Sequence, residues 1–552
     1  MDVKTQKYDR QLRLWGDKGQ DALESAHILL INATAVGCEI LKNLVLPGIG
    51  QFTVVDQGTV TQNDIGSNFF LDFESLGKSR AERACELLGE LNEDVKGHWI
   101  ANDIVSILKE NPGFLAQFST VIATDVTRET AEKVAAICWL NGHNVDAAGG
   151  NNRPAGKERT TFVWVKTVGL VGAVRIAVPE HTIVETHPDS VADLRIDTPF
   201  PELEAFAKSF NFETTDSLEF GHIPYVAILL KYMEQWKNEA SLELSLFNLV
   251  KQHAGKIPST YAEKNQFKAV IKAGMRSEDD ENFEEAISSV LRSCQTTVVP
   301  SAIKGLFNDP KCENLSAESG NFWILLRAVR DFVNDHSKSG GLLPLSGTIP
   351  DMKAQTDSYV TLQSIYKDKA KRDVQEVSKL VESLLESLGL AAGSIALREI
   401  ETFCKYSAFL RVVRYRSLED EYHQPRTKQI ASWLEDPESV FPQYVLLRAS
   451  DSFYDDHGRY PGEGENWEDD VDQLHANMAT LLQSWGIEGD AVSKDLTYEI
   501  CRYGNGSVHN IASFMGGVVS QEIIKLITHQ YTPMDNTFIF DGVRSVSAVF
   551  TV

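Results

Sequence analysis

Asn32, Thr34, Gly37 and Asp56 stand where a nucleotide-binding turn would do its chemistry. His27-Ile28-Leu29-Leu30-Ile31 reads as a short buried strand, and Glu39 to Leu46 as a helix with Ile40, Leu41, Leu44 and Val45 on one face. Phe52-Thr53-Val54-Val55-Asp56 follows as a second strand that ends in an acid. In a working unit of this kind, glycines let the backbone approach a phosphate, and an acid roughly 20 residues on binds the ribose. Here Gly37 and Asp56 are present, while Asn32 and Thr34 occupy the close-approach positions. A Cβ at those positions fills the space of the phosphate, and it is strained if φ is positive. The pattern predicts the fold of a nucleotide unit without its ligand.

Other residues could carry chemistry. Cys294, in Arg292-Ser293-Cys294-Gln295-Thr296-Thr297, lies in a helical region. A catalytic thiol needs a depressed pKa and an open, electropositive setting, which this context does not offer, so Cys294 is expected to be structural. Cys38 and Cys138 fall on predicted helices and are expected in the core. The seven cysteines form no CxxC pair, which points to a reduced compartment and no zinc site. Asp125 follows the strand Val121-Ile122-Ala123-Thr124 and reads as a surface loop residue or helix cap. Arg10 precedes the first strand. Its planar, permanently charged fork suits phosphate oxygens, but by residue chemistry alone it could equally cap the helix through Gln11 to Trp15 or pair with Asp9.

These groups must be positioned by a chain of 552 residues, long enough for two or more domains. Hydrophobic content of 43% supplies a packed core, and a net charge of -25 argues against a nucleic-acid or anionic-membrane surface. The acidic runs Glu278 to Glu281, Glu284-Glu285 and Glu463 to Asp472 read as solvated loops. Met1 to Arg10 is charged and unlike a secretory signal. The longest apolar run, Gly169 to Val178, is short and contains Arg175, so no membrane span is expected. The expected location is the cytoplasm, with access to the nucleus.

Residues 1–168 alternate strand and helix patterns, with Ala131 to Trp139 as a helix and Phe162 to Val165 as a strand. From 169 to 484 the spacing is mainly helical, including Phe322 to Val333, Tyr359 to Leu388 and Tyr444 to Tyr454. Residues 485–552 return to α/β, with a small-residue helix from His509 to Thr528 and a strand at Phe538-Ile539-Phe540. The expected architecture is a sheet domain interrupted by a helical insertion. Within the insertion, the loop Ser337 to Met352 carries Leu342, Leu343, Pro344 and Leu345 in a row. Long structureless loops are often functional, so these four are expected either to cover a partner or to tuck onto their own helices.

Tyr8-Asp9-Arg10-Gln11-Leu12-Arg13-Leu14-Trp15-Gly16 resembles the N-terminal motif of the enzymes that activate ubiquitin and ubiquitin-like modifiers. The likeness continues through Gly37 to Leu44, Leu76 to Ala81, Ala512 to Lys525 and Phe538 to Asp541. Phe322 to Leu325, Gly347 to Met352, Ser407 to Arg414 and Gly458 to Gly462 narrow it to the regulatory-subunit branch for Nedd/Rub-type modifiers. The resemblance spans nearly the whole chain. It implies a Rossmann-like, ThiF/MoeB-like pseudo-adenylation domain, here residues 1–168 with 485–552, interrupted by a helical domain matching part of the family's catalytic-cysteine region.

The resemblance also implies a role. Such a chain would be the non-catalytic half of a heterodimer whose catalytic subunit uses ATP and magnesium to adenylate the modifier. The modifier then passes as a thioester to a conjugating enzyme and on to cullins. Ser67 falls where the active half has its ATP-contacting arginine, and Val126, beside Asp125, where it has its magnesium carboxylate. Lys78 matches a nucleotide-site lysine. No ATP or metal is expected on this chain, and Arg10 is expected to reach the partner's ATP phosphates in trans. The rivals are a self-sufficient adenylyltransferase and a dinucleotide-dependent dehydrogenase, both opposed by the altered turn. A third rival, the small subunit for a SUMO-type modifier, is opposed by the long helical region.

Overall fold

The computed structural model describes residues 6–140, 160–187, 192–213, 215–237, 256–464, 467–487 and 492–552. Residues 1–5 of the charged N-terminus and 465–466 of one acidic run lie outside the described residues. The chain forms two compact units, one of Met1–Ile183 with Arg411–Val552 and one of Val184–Leu410.

The first unit is built on eight strands: β1 (His27–Ile31), β2 (Gln51–Val55), β3 (Lys96–Ile100), β4 (Thr120–Thr124), β5 (Thr161–Val168), β6 (Val171–Ala177), and, past the insertion, Thr537–Asp541 and Val546–Phe550. Two three-residue strands, β7 (His181–Ile183) and β8 (Arg411–Val413), pair separately, which makes the last two β9 and β10. The order is β10-β9-β6-β5-β4-β1-β2-β3. The β3-β2-β1-β4-β5 half is parallel, and the β5-β6-β9-β10 half is antiparallel.

Alternation along the central strands explains why the parallel half reads as continuous apolar runs: both faces are covered. Ile28, Leu30, Phe52, Val54 and Ile122 face a layer that holds the helices Asp9–Ser25, Ala35–Val45, Arg80–Gly89 and His509–Thr528. Leu29, Ile31, Val55, Val121 and Ala123 face the layer of Arg128–Leu140, Phe441–His457 and Asp469–Ser484. By length and composition His509–Thr528 could cross a bilayer, yet more than half of it is buried as a core helix.

The boundaries differ from those read in sequence. The sheet domain runs to Ile183 rather than 168, because β6 pairs with both β5 and β9. It resumes at Arg411 rather than 485, because Phe441–His457 and Asp469–Ser484 pack on the sheet. Helical periodicity reports that a helix has a buried face, not which core receives it. Arg175, odd in an apolar run, is buried in β6, where its Nε donates to Glu421 Oε2 at 2.9 Å.

The second unit is helical, with Tyr225–Lys237, Glu281–Ser293, Asn321–Asn334 and the 32-residue Thr356–Ser387 among its helices. That long helix buries a single stripe, Leu362, Tyr366, Asp373, Val377, Val381 and Leu385. The Ser337–Met352 loop lies on its own unit. Leu343, Pro344 and Leu345 are buried, with Leu345 N donating to Asp373 Oδ2 (3.0 Å) and Leu343 O accepting from Arg195 Nη2 (2.7 Å). Of the four, Leu342 is only half-buried. The burial of Leu343, Pro344 and Leu345 favours the alternative that these residues tuck onto their own unit, where Leu345 joins the helical core.

Candidate functional site

The turn after β1 is closed by its own side chains. Asn32 adopts φ +63°, a left-handed conformation that asparagine tolerates better than most residues. Its Nδ2 donates to Thr124 O (3.0 Å) and Asp125 O (2.9 Å), so the side chain lies across the end of β4. Thr34 is the N-cap of Ala35–Val45. Its Oγ1 accepts from Gly37 N (3.2 Å) and donates to Thr124 Oγ1 (2.8 Å). A bare helix N-terminus offers unpaired N–H groups to an anion, and here one is already satisfied. Gly37 keeps the packing part of its job: a Cβ there would come within 2.9 Å of the Leu30 side chain.

The acid at the end of β2 is equally engaged. Asp56 is 1% exposed and accepts from Ala33 N (2.8 Å), Gly58 N (2.7 Å), Arg80 Nε (2.6 Å) and Arg80 Nη2 (3.1 Å). Arg80 Nη1 reaches on to Asp64 Oδ1 at 3.0 Å, so one guanidinium joins two carboxylates. The oxygens that would take a ribose are held by an arginine of the same chain. Lys78 is exposed, and the cation that enters the site is Arg80, two residues later. Sequence reading missed this. The signal was a second cation beside Lys78, but only the fold shows which one turns inward.

The remaining residues fall as follows. Ser67 ends the short helix Gln62–Ser67, with its Oγ donating to Asn63 O (2.9 Å) and its carbonyl next to His509 Nδ1 (3.1 Å). Val126 is buried in the core, while Asp125 is exposed and accepts from Asn505 Nδ2 at 2.8 Å. Among the described residues, no group of three His, Cys, Asp or Glu could hold a metal ion. Cys38 and Cys294 are buried, and burial pushes each thiol up to about 12, the reverse of what a nucleophile needs. Cys138 is buried as well.

Arg10 lies on Asp9–Ser25, exposed and without an ion pair among the described residues. Asp9 is taken by Arg13 at 3.0 Å, which removes the simplest local role for Arg10. In the segment that leads into Arg80, Phe69 is 71%, Phe73 76% and Leu76 49% exposed. Phe69 stacks on His509, with ring centroids 3.5 Å apart. Three large apolar side chains are thus exposed within the eight residues 69–76.

Residues 8–550 match the ThiF family. The chain is 43% identical over 558 residues to the NEDD8-activating enzyme E1 regulatory subunit of Gallus gallus, covering 99% of this chain and 98% of the relative. It is 42% identical over 557 residues to the protein of that name from Danio rerio, with the same coverage. A solved structure, the E. coli tRNA N6-threonylcarbamoyladenosine dehydratase with AMP, aligns at 22% identity and TM-score 0.23 over 25% of this chain and 55% of that one. The chain belongs to the ThiF family and, within it, to the NEDD8-activating enzyme E1 regulatory subunits.

Proposed function

We propose that this regulatory subunit makes no adenylate of its own and instead completes the ATP site of a catalytic subunit in trans, through Arg10. The closed turn carries the reading: Thr34 caps the helix that would hold phosphate, and Arg80 holds the acid that would hold ribose. ATP and magnesium then belong to the partner, and a Nedd/Rub-type modifier is adenylated there before transfer to a conjugating enzyme and to cullins. The face of Phe69, Phe73 and Leu76 is assigned to the catalytic subunit, since water contact with that much apolar surface is costly in an isolated chain. The compartment proposed with this role is the cytoplasm, with access to the nucleus.

The test has two arms. Calorimetry with ATP and magnesium on the isolated chain should show no binding, and a micromolar affinity would overturn the reading. In the heterodimer, Arg10→Ala removes a charge-assisted hydrogen bond of about 1.5–3 kcal/mol, which corresponds to about tenfold to somewhat over a hundredfold in rate. Modifier-dependent pyrophosphate exchange should slow by that factor, with assembly intact by size-exclusion chromatography. Arg10→Lys should recover only part of the loss, because an ammonium lacks the two-pronged contact. Wild-type exchange by Arg10→Ala would make Arg10 a structural residue.

A further inference from the structure

We infer that the segment carrying Arg10 is a preset arm, aimed by a backbone break at Gly16 and held by Gln530, so that both act as positioning residues for Arg10. This rests on the in-trans role of Arg10 proposed above. Helix Asp9–Ser25 is not continuous: Gly16 has φ +66° and ψ 177°, a combination open essentially to glycine alone. The arm Asp9 to Trp15 therefore leaves the rest of the helix at an angle that the glycine sets.

Both ends of the arm are fastened. Behind Arg10, Trp15 O accepts from Gln530 Nε2 at 2.8 Å, and Gln530 is itself buried. The Trp15 indole is buried too, its Nε1 donating to Gln20 Oε1 (3.2 Å), and Gln20 Nε2 donates to Pro47 O (3.1 Å). In front of Arg10, Tyr8 is buried. Its hydroxyl donates to Asp94 Oδ2 (3.2 Å) and accepts from Asn92 Nδ2 (3.0 Å), and that nitrogen also donates to Val45 O (2.9 Å). Lys7 Nζ donates to Asn92 Oδ1 and Asp94 Oδ2, each at 2.6 Å. Between these anchors Arg10 is the charged side chain that is exposed and without an ion pair among the described residues, which is how a side chain presented to something outside the chain is built.

Leverage makes the angle matter. Arg10 lies six residues from Gly16, an arm of about 9 Å along a helix axis. A change of about 30° in the break would shift its Cα by about 5 Å, more than a hydrogen bond can absorb. A misplacement near 1 Å already costs on the order of a hundredfold when geometry is what a contact supplies.

The experiment is a double-mutant cycle in the assembled heterodimer with its catalytic subunit. Gly16→Ala forces an unfavourable backbone conformation or a straighter helix. Gln530→Leu keeps the bulk and removes the bond to Trp15 O. Each should slow modifier-dependent pyrophosphate exchange through kcat, by severalfold up to the loss seen for Arg10→Ala, with KM for ATP little changed. In the Arg10→Ala background neither should slow it further. Calorimetric ATP affinity, elution volume and melting temperature of the heterodimer should stay close to wild type for Gln530→Leu, which serves if Gly16→Ala fails to assemble. Losses that multiply with that of Arg10→Ala, or wild-type rates for Gln530→Leu and Gly16→Ala beside a slow Arg10→Ala, overturn the arm alone. A wild-type rate for Arg10→Ala overturns the in-trans reading and the arm with it.

Discussion

Replacing Arg80 by alanine removes three N–H···O contacts and the cation paired with a carboxylate that is 1% exposed. Breaking a buried pair by deleting one partner typically costs about 3–5 kcal/mol. Two features lower that here. Asp56 keeps its bonds from Ala33 N and Gly58 N, and the Arg80 side chain is 22% exposed, so water reaches the site once the guanidinium is gone. The expected loss is about 2–3 kcal/mol, at or just below the bottom of the usual range. For a unit of this size the unfolding entropy makes that a drop of about 3–5 °C in melting temperature. The assay is thermal unfolding of the isolated chain by circular dichroism, with and without millimolar ATP and magnesium. A site with a Kd of about 10 μM would gain about 2.7 kcal/mol from ligand at a hundred times that concentration, raising Tm by a comparable few degrees. No rise is expected for wild type or for Arg80→Ala, because Asn32 and Thr34 still fill the phosphate positions. An Arg80→Ala chain that melts like wild type, or a wild-type chain stabilised by ATP, would refute the account of the closed site.

Leu345→Asp should unfold or severely destabilise the helical unit, by more than about 3 kcal/mol from burying an unpaired charge, whereas Leu342→Asp should change the melt by under about 1 kcal/mol. Parallel melts of the two variants decide this. Cys294 should resist maleimide until the chain is denatured, and Cys294→Ala should leave modifier charging unchanged, since burial pushes the thiol up to about 12; both are read by mass spectrometry and a gel-shift charging assay. His181 should make the protein less stable in mild acid. Burial, then the neighbouring His529 ring 4.6 Å away, holds its pKa well below 6.5, so the unfolded chain binds a proton that the folded chain refuses. Stability is then full above pH 6.5 and falls as pH drops below it, by up to about 1.4 kcal/mol per pH unit. His27, lowered by burial and then by His98, acts in the same direction. Denaturant melts from pH 7.5 to 5 should show a shallower fall for His181→Gln than for wild type.

Local signals reached far in this chain. The strand–turn–helix–strand pattern from His27 to Asp56, the apolar stripes of the long helices and the small-residue helix near the C-terminus all appear where their periodicity placed them. These features are legible because each is set by residues a few positions apart. The altered turn was legible for the same reason: Asn32 and Thr34 announce themselves against a glycine requirement that is itself local.

What the sequence alone determined is the family, the sheet with its helical insertion, and a turn whose phosphate positions carry side chains. What only the tertiary structure decided is which partner each group finds. Arg80 rather than Lys78 enters the acid of β2, and Arg13 rather than Arg10 takes Asp9. Leu345 of the 337–352 loop enters the core of its own unit while Leu342 stays half-buried, and the helices from 441 to 484 join the sheet rather than the insertion. The physical reason is common to all four. A cation or an apolar side chain carries no label for its destination, and the choice is made by long-range geometry, when contacts distant in sequence bring one acceptor or one cavity within reach and leave the others in water.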